Sequence, residues 1–288
     1  MRPYKTGARR SHPDKLARAT PAHLHPRIKA RLKAGTATLP TSVDLGQYWP
    51  SILDQNSTGS CTAHAIACCL TTALAAAGKP LGFVPSPLCT YAATRSLERA
   101  AAAPAGSPLP VLTDSGAELA DVMTAIAQNG VRPMKAPSPQ GFNTDIDTSN
   151  VLNESDGYGL EVAAQALITG PYSVDLTQPN FPDVLAAALA ENIPIDIAFE
   201  CDDAFQALSN GGVAVAPVDA PDDGGHSVAL TGYQPLTAAQ AASVGVAAGT
   251  RAFLLTNSWG TGWASSGRVL CAPSFIAALW EAWPTAVN

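Results

Sequence analysis

Three polar residues that lie far apart in this chain have the types and surroundings needed for nucleophilic chemistry by a thiol. Cys61 follows a Gly-Ser turn and precedes a run rich in Ala and Leu, so it stands at the predicted N-terminus of a helix. Unpaired N–H groups and the positive end of the helix dipole favour a thiolate at such a position. His226 opens a predicted strand after two glycines, and Asn257 ends the next strand.

A thiolate that attacks a carbonyl carbon needs a base to share its proton, a group that orients this base, and donors for the oxyanion. His226 is the candidate base. The amide of Asn257 can accept from one imidazole nitrogen while the other faces the sulfur, because adjacent antiparallel strands bring such side chains together. Alone, each residue has an ordinary structural interpretation. Their joint occurrence predicts a Cys-His-Asn site for acyl transfer, with Cys61 as nucleophile.

Four segments have the composition and end signals of helices. The run that starts at Cys61 stops at Gly78 and Pro80. The segment GAELADVMTAIAQNG carries its apolar residues on one face and ends at Gly130. Shorter helices are predicted in HPRIKARLKAG and FPDVLAAALAEN.

The second half of the chain changes to short apolar runs bounded by turns. Strands of an antiparallel sheet or barrel are predicted in IPIDIAFE, GGVAVAP, HSVALTGY, RAFLLTNSW and GRVLCA. The segment LTAAQAASVGVAAG is predicted to be a loop or a small helix. A helical first half and a strand-rich second half predict an α+β protein with two lobes, and ligands favour the cleft between such lobes.

Three segments, in this order along the chain, resemble the papain family of cysteine peptidases. DQNSTGSCTAHA resembles the nucleophile segment of the family, GGHSVALTGY its histidine strand and NSWGTGW its asparagine strand. The resemblance covers residues 39–288. It implies a papain-like two-lobe fold, with the nucleophile helix in a helical lobe and with His and Asn in an antiparallel β-sheet or barrel lobe. It also implies that no cofactor is required.

The resemblance implies roles for further residues. Gln55, six residues before Cys61, matches the glutamine whose amide donates to the oxyanion. Trp259 matches the tryptophan that shields the Asn–His hydrogen bond from water. A further set is expected to contact the substrate: Ser115, Gly116, Gly225 and Trp259.

Two positions depart from the family pattern. Thr58 stands where the family usually has a disulfide-forming cysteine, which favours a reducing compartment. Thr62 replaces the aromatic residue that usually follows the nucleophile. Such departures are more common in bacterial members, and the Ala-rich composition is consistent with a bacterial source.

The remaining thiols and imidazoles have structural interpretations. His64, three residues after Cys61, is expected to be buried against the other lobe and not to act in catalysis. The cysteines form no CxxC pair and no histidine lies at zinc-ligand spacing, so no metal site is predicted. Five cysteines are expected to be buried free thiols: Cys68, Cys69, Cys89, Cys201 and Cys271.

The net charge of −6 is divided unevenly along the 288 residues. Residues 1–40 contain ten Lys and Arg and one Asp, a charge of +9, whereas residues 41–288 contain seven Lys and Arg and 22 Asp and Glu, a charge of −15. A basic arm before an acidic body is suited to lie across a cleft. We therefore expect residues 1–38 to be an inhibitory propeptide or N-terminal arm, released near Thr38 or Leu39. Binding of nucleic acid or an anionic membrane, and a targeting role, are the alternatives.

The sequence thus predicts a cysteine endopeptidase that hydrolyses peptide bonds through a thioester and is made as a zymogen. Residues 39–288 form the peptidase domain, with the helical lobe mainly in residues 50–160 and the β-rich lobe mainly in residues 170–288. A papain-fold protein that binds without cleaving, and a deamidase or transamidase with the same triad, remain alternatives.

Partners and location follow from the same features. We expect a monomer that acts on a protein or peptide substrate, is inhibited by its own arm and has no nucleic-acid partner. No stretch reaches the roughly 18 to 20 apolar residues of a membrane span, and no apolar segment follows the basic N-terminus. We expect a soluble protein, either in a bacterial cytoplasm or exported without an ordinary secretory signal.

Overall fold

The computed structural model describes residues 5–49, 52–134, 168–218 and 224–287, which form two lobes that meet along one long helix. Within these ranges the helices are α1 (Pro13–Arg18), α2 (Pro26–Ala34), α3 (Cys61–Ala76), α4 (Pro87–Ala102), α5 (Leu119–Asn129), α6 (Phe181–Ala190), α7 (Asp203–Gln206), α8 (Ala238–Ser243) and α9 (Pro273–Ala277). The strands in the N-terminal half are β1 (Ala8–Arg9), β2 (Thr20–Pro21), β3 (Val43–Asp44) and β4 (Ala117–Glu118). Those in the C-terminal half are β5 (Ile168–Thr169), β6 (Tyr172–Ser173), β7 (Ile195–Glu200), β8 (Val213–Ala214), β9 (Gly225–Pro235), β10 (Arg251–Thr256), β11 (Arg268–Cys271), β12 (Leu279–Pro284) and β13 (Ala286–Val287).

The helical lobe is built on α3, α4 and α5. Helix α3 begins at Cys61, as predicted, and every residue from Cys61 to Leu74 is buried. A helix that is buried on all sides needs small apolar residues rather than an amphipathic pattern, which explains its Ala-rich sequence. Gly78 follows it with a φ of 72°, a conformation that favours glycine. The sequence did not predict α4, whose partly exposed C-terminal half contains Arg and Glu among its alanines.

The β-rich lobe is a largely antiparallel sheet in the order β12-β7-β9-β10-β11-β8, and β1 and β3 also pair with β9. Most predicted strands are present, but only Val213 and Ala214 of GGVAVAP form a strand. The predicted low-complexity segment contains the small helix α8. Helices and antiparallel strands in two lobes confirm the predicted α+β fold.

Residues 5–12, here called the front segment, lie between the two lobes. Strand β1 is parallel to β4 and antiparallel to β9, so the front segment joins one lobe to the other. The residues that follow, 13–38, are called the rear segment. Here Ile28 is completely buried in the core of the β-rich lobe, α2 packs on α6, and Arg27 and Arg31 both contact Glu191.

The predicted bounds of the two lobes stay a prediction, and residues 135–167, which include the end of the predicted helical lobe, lie outside the described residues. None of the helices in the described ranges has the length and hydrophobicity that a membrane span requires.

Candidate active site

Cys61 is the first residue of α3, and its side chain has no exposed surface. Three backbone N–H groups are near enough to its sulfur to lower the pKa of the thiol: that of Thr62 in its own helix, that of Ser227 in β9 and that of Gly7 in the front segment. The first of these is a free N–H of the helix N-terminus, as the sequence predicted. The second brings the start of β9, which carries His226, against the nucleophile candidate.

His226 and Asn257 are joined as the sequence predicted. The Nε2 atom of His226 lies 2.8 Å from Oδ1 of Asn257, and the same Oδ1 accepts the Ser258 N–H at 2.8 Å. Trp259 stacks on the imidazole with ring centroids 4.4 Å apart. Nδ1 of His226 is buried and has no hydrogen-bond partner among the described residues. The nitrogen opposite Asn257 is therefore the one left for proton exchange.

Gln55, in the loop before α3, is held by a network of hydrogen bonds that the sequence did not predict. Its Oε1 accepts the Ser258 hydroxyl at 2.6 Å, and its Nε2 donates to the Thr58 carbonyl at 2.8 Å. The same Nε2 donates at 2.9 Å to the carbonyl of Lys5 in the front segment. Ser258 thus links Gln55 to Asn257. The sequence could have indicated this role, because Ser258 lies between Asn257 and Trp259.

Two of the predicted substrate-binding residues contact a peptide backbone, namely that of the front segment. The Gly7 N–H donates to the Gly225 carbonyl at 3.0 Å, and the Ala117 N–H donates to the Gly7 carbonyl at 2.8 Å. A Cβ on Gly116 would lie 2.0 Å from the Gly7 oxygen, which explains the need for glycine there. Gly7 is thus hydrogen-bonded on one side to β4 and on the other side to β9.

The other predicted substrate-binding residues do not contact this backbone in the same way. The Ser115 hydroxyl accepts from Arg95 at 2.8 Å. Its neighbour Asp114 was not singled out from the sequence, yet it accepts from Tyr91 at 2.6 Å and from the Gly59 N–H, and it pairs with Lys5. The fourth predicted residue, Trp259, stacks on the imidazole of His226.

Burial controls the protonation of the site while the front segment is in place. Burial raises the pKa of the Cys61 thiol to about 12, although the N–H groups of Ser227, Gly7 and Thr62 act in the opposite direction. Burial also lowers the pKa of His226 to about 4, against the effect of the Asn257 hydrogen bond. Both groups are therefore neutral at physiological pH. The thiolate that helix position alone favours is not the stable form under the arm.

The residues with structural interpretations are placed as predicted. His64 is buried, its Nδ1 lies 2.9 Å from the Ser60 carbonyl, and burial lowers its pKa to about 4. Thr58 donates to the Gln55 carbonyl at 2.7 Å and shares a hydrogen bond with Ser60, so it supports the loop that lacks the family disulfide. All six cysteines are free and buried.

Comparisons with known proteins show what the chain is similar to. The family model described as "Papain family cysteine protease" matches residues 164–273, which include His226 and Asn257. A curated relative, "Cysteine proteinase 3" of Solanum lycopersicum, is 28% identical over 182 residues, or 62% of this chain. The match spans 48% of that relative's length, about half.

Solved structures share the fold. Xylellain, a cysteine protease from Xylella fastidiosa, aligns with a TM-score of 0.69 at 23% identity, over 99% of this chain and 97% of that one. ProCathepsin B S9 from Trypanosoma congolense aligns with a TM-score of 0.62 at 17% identity, over 99% and 87% of the two chains. Digestive procathepsin L 3 of Tenebrio molitor aligns with a TM-score of 0.59 at 18% identity, over 94% and 77%. The chain therefore has the papain-like fold, and its residues 164–273 match the family model of the papain family of cysteine proteases.

Proposed function

We propose that this chain is a cysteine peptidase that is synthesised in a latent form, with Cys61 as nucleophile and the front segment as its inhibitor. One observation carries the proposal. The backbone of the front segment lies between the two lobes: the Gly7 N–H donates to the Gly225 carbonyl, the Gly7 carbonyl accepts from the Ala117 N–H, and the Lys5 carbonyl accepts from the Gln55 amide. A cleft that binds its own backbone in this way is shaped to bind the backbone of a substrate.

In the proposed reaction His226 takes the thiol proton through Nδ1, and the Cys61 thiolate attacks a peptide carbonyl carbon. The amide of Gln55 and the Cys61 N–H stabilise the oxyanion. The imidazolium then protonates the leaving amine, and water hydrolyses the thioester with His226 as base. Asn257 and Trp259 hold the imidazole in position throughout, because they contact it on the other nitrogen and on its face.

Latency has a physical cause in the same site. The front segment removes water from Cys61 and His226, and burial favours the neutral form of both groups. It also occupies Gln55, the proposed oxyanion donor, with the Lys5 carbonyl. Release of the front segment would return water to the thiol and free the amide, so both the nucleophile and the oxyanion site become available together.

A single substitution in the full-length chain tests this proposal. A Cβ on Gly7 would lie 2.1 Å from the Gly59 carbonyl oxygen, so Gly7→Val is expected to expel the front segment. The variant should hydrolyse a fluorogenic peptide faster than the unmodified chain, and an electrophilic thiol probe should label Cys61 in preference to the other five cysteines. The matched control is Gly262→Val, because Gly262 is exposed and a Cβ there meets open space.

Product analysis separates the alternatives. A peptidase gives two peptides with a new carboxylate and a new amine, and Cys61→Ala in the Gly7→Val background abolishes this activity. A deamidase converts a side-chain amide to an acid, and a transamidase joins an added amine to the substrate. A binding protein without turnover leaves the peptide intact. Even labelling of all six cysteines by the probe, with no Cys61-dependent product, would refute the proposal.

A further inference from the structure

We propose that the cleft selects peptides rich in Arg and Lys, because its walls carry carboxylates whose counter-charges come from the arm. This inference rests on the proposed function, since it names the substrate class of the same site. The arm is itself a peptide bound in the cleft, and its cations mark the places where the cleft accepts positive charge.

Four basic side chains of the arm each reach a carboxylate of the body. Lys15 lies 2.9 Å from Glu118 and 2.6 Å from Asp121, and Arg10 lies 3.8 Å from Glu200. The remaining pairs are Lys5 with Asp114 and Arg9 with Glu98. Every Lys and Arg between residues 5 and 15 is paired in this way. Each cation therefore has its own carboxylate partner in the cleft, in addition to the general attraction by the net charge of the body.

These carboxylates lie on both sides of the front segment. Asp114 precedes β4, Glu98 belongs to α4, and Glu118 and Asp121 lie at the start of α5, all in the helical lobe. Glu200 ends β7 in the β-rich lobe. A peptide in the cleft thus meets negative charge on either wall.

Three of these carboxylates form a cluster that needs positive charge. One oxygen each of Glu98, Glu118 and Asp121 lies within 4.8 Å of the other two. Like charges at this distance repel one another, and Arg9 and Lys15 of the arm offset the repulsion. Without the arm, Glu98 keeps Arg95. The other two carboxylates of the cluster lose every ion-pair partner that they have among the described residues.

Two residues of the β-rich lobe, Glu281 and Trp280, favour peptides that carry hydrogen-bond donors and planar cations. The carboxylate of Glu281 is buried and accepts the N–H of Ser11 at 2.6 Å and the Ser11 hydroxyl at 2.7 Å. When the arm leaves, only the Trp283 indole N–H, at 2.9 Å, remains of these three donors. The guanidinium of Arg10 lies over the Trp280 ring at 4.1 Å, a stacking position that suits Arg better than Lys.

The expected selectivity is moderate and depends on salt. Partly exposed ion pairs each contribute about 1.4- to 5-fold to binding, so several together give on the order of tenfold. Because these contacts lie along the flanks of the peptide, we expect the effect mainly in KM and not in kcat. The Debye length falls to about 3 Å at 1 M salt, so the preference should largely disappear there.

The test uses the full-length chain with Gly7→Val and Lys15→Ala, because Lys15 belongs to the rear segment and would otherwise stay paired with Glu118 and Asp121. Three peptides share one central sequence and are flanked by Arg and Lys, by Gln and Ser, or by Glu and Asp. A chelator keeps divalent cations from the carboxylate cluster. The expected order of kcat/KM is basic, then neutral, then acidic, with about tenfold between the basic and neutral peptides at low salt. Equal values at low salt, or a preference that persists at 1 M salt, overturn the inference.

Substitutions in the wall locate the effect. Glu118→Gln with Asp121→Asn should reduce the preference for the basic peptide about fivefold, and Glu200→Gln, on the other wall, provides a second variant if the first does not fold. The control is Asp183→Asn on α6, a carboxylate that pairs with Arg251 outside the cleft. A preference that is unchanged in both wall variants overturns the inference.

Failure of the inference and failure of the proposed function have different signatures. If the three peptides are cleaved equally, the peptidase stands and charge selection is wrong. If none is cleaved, the peptidase proposal fails, and protection of Cys61 from alkylation then measures peptide binding directly. Basic peptides that protect best support charge selection in this case, and equal protection by all three overturns it.

Discussion

The front and rear segments of the N-terminal arm are joined in sequence but are held in different ways. The front segment, residues 5–12, is bound through its backbone and its charges, and its buried side chains are the small ones of Ala8 and Ser11. The rear segment places Ile28, with 0% exposure, in the core of the β-rich lobe. The first resembles a bound peptide and the second resembles part of the fold. The comparison shows that the front segment occupies the cleft, whereas the rear segment contributes to the stability of the body.

The largest expected effect breaks the front segment away. Gly7→Val should raise the rate of Cys61 alkylation at pH 7 by about 10²- to 10³-fold, because a solvated thiol at a helix N-terminus forms far more thiolate than a buried one. The measurement is the rate of labelling by iodoacetamide, with the adduct mapped to Cys61. Gly262→Val should leave the rate within about twofold. A Gly7→Val rate equal to that of the control would show that the front segment does not shield Cys61.

The second prediction concerns the rear segment. Ile28→Ala should lower the free energy of unfolding by about 2–4 kcal/mol, because it leaves a cavity in a closed core. It should not raise the alkylation rate of the folded protein, since the front segment stays in place. Denaturant unfolding measures the first effect and thiol labelling the second. Leu24→Ala, at a side chain that is 48% exposed, is the control and should cost less than about 1 kcal/mol.

The predicted release near Thr38 or Leu39 bears on this pair of variants and stays a prediction. Cleavage there would remove the rear segment and leave the side of α6 that α2 covers open. Release of the front segment alone would leave that core intact. These two kinds of release are distinguished by the free energy of unfolding of a chain that begins at residue 13 and of one that begins at residue 39. The chain that begins at residue 39 should lose as much free energy of unfolding as Ile28→Ala, or more.

Several elements could be predicted from the sequence because their signals are local. The Ala-rich run after Cys61 and the glycine after it define α3, and His226 and Asn257 lie in runs with clear strand character. The pairing of these residues followed from their order and from the family resemblance. Helix α4 was missed because its C-terminal half is polar and no apolar stripe marks it.

Long-range contacts of the arm could not be predicted in this way. Charge predicted attraction between arm and body, but Lys5 pairs with a carboxylate 109 residues away, and no local pattern specifies such a partner. The state of Cys61 was also out of reach. Its position at a helix N-terminus favours a thiolate, whereas burial, with a smaller effect of Asp196, raises the pKa of the thiol. Ser258 and Asp114 were overlooked because each acts by holding another residue.

The third prediction uses pH to distinguish the closed from the open front segment. Burial lowers the folded-state pKa of His226 to about 4, below the ordinary value of 6.5, so its contribution to stability is present above pH 6.5 and is lost as the pH falls towards 4. From these values the loss is about 2 kcal/mol at pH 5. Gly7→Val returns His226 to water, so this variant should lose about 2 kcal/mol less between pH 7 and pH 5. His64, buried in the helical lobe, contributes equally to both proteins. Equal pH dependence of unfolding in the two proteins would contradict burial of His226 by the front segment.

The smallest effect is expected where the two segments meet, at Lys15, whose ammonium joins α1 to Glu118 and Asp121. Lys15→Ala should raise the Cys61 alkylation rate only about two- to fivefold, because partly exposed ion pairs contribute about 0.2–1 kcal/mol. Lys33→Ala is the matched control: it removes the same charge from an exposed side chain of α2 with no ion pair among the described residues. Salt distinguishes docking by this ion pair from general attraction. At low salt the two variants should differ, and at 1 M salt, where the Debye length is about 3 Å, the Lys15→Ala rate and that of the unmodified chain should converge.

Acid, like salt, should weaken the contact between Lys15 and Glu118. Lys15 keeps the pKa of Glu118 below its ordinary value despite the opposing effect of burial, so this contact weakens only as the pH falls below the ordinary carboxyl range. If Lys33→Ala accelerated labelling as much as Lys15→Ala, net charge alone would account for closure and the individual pairs in the cleft would not matter.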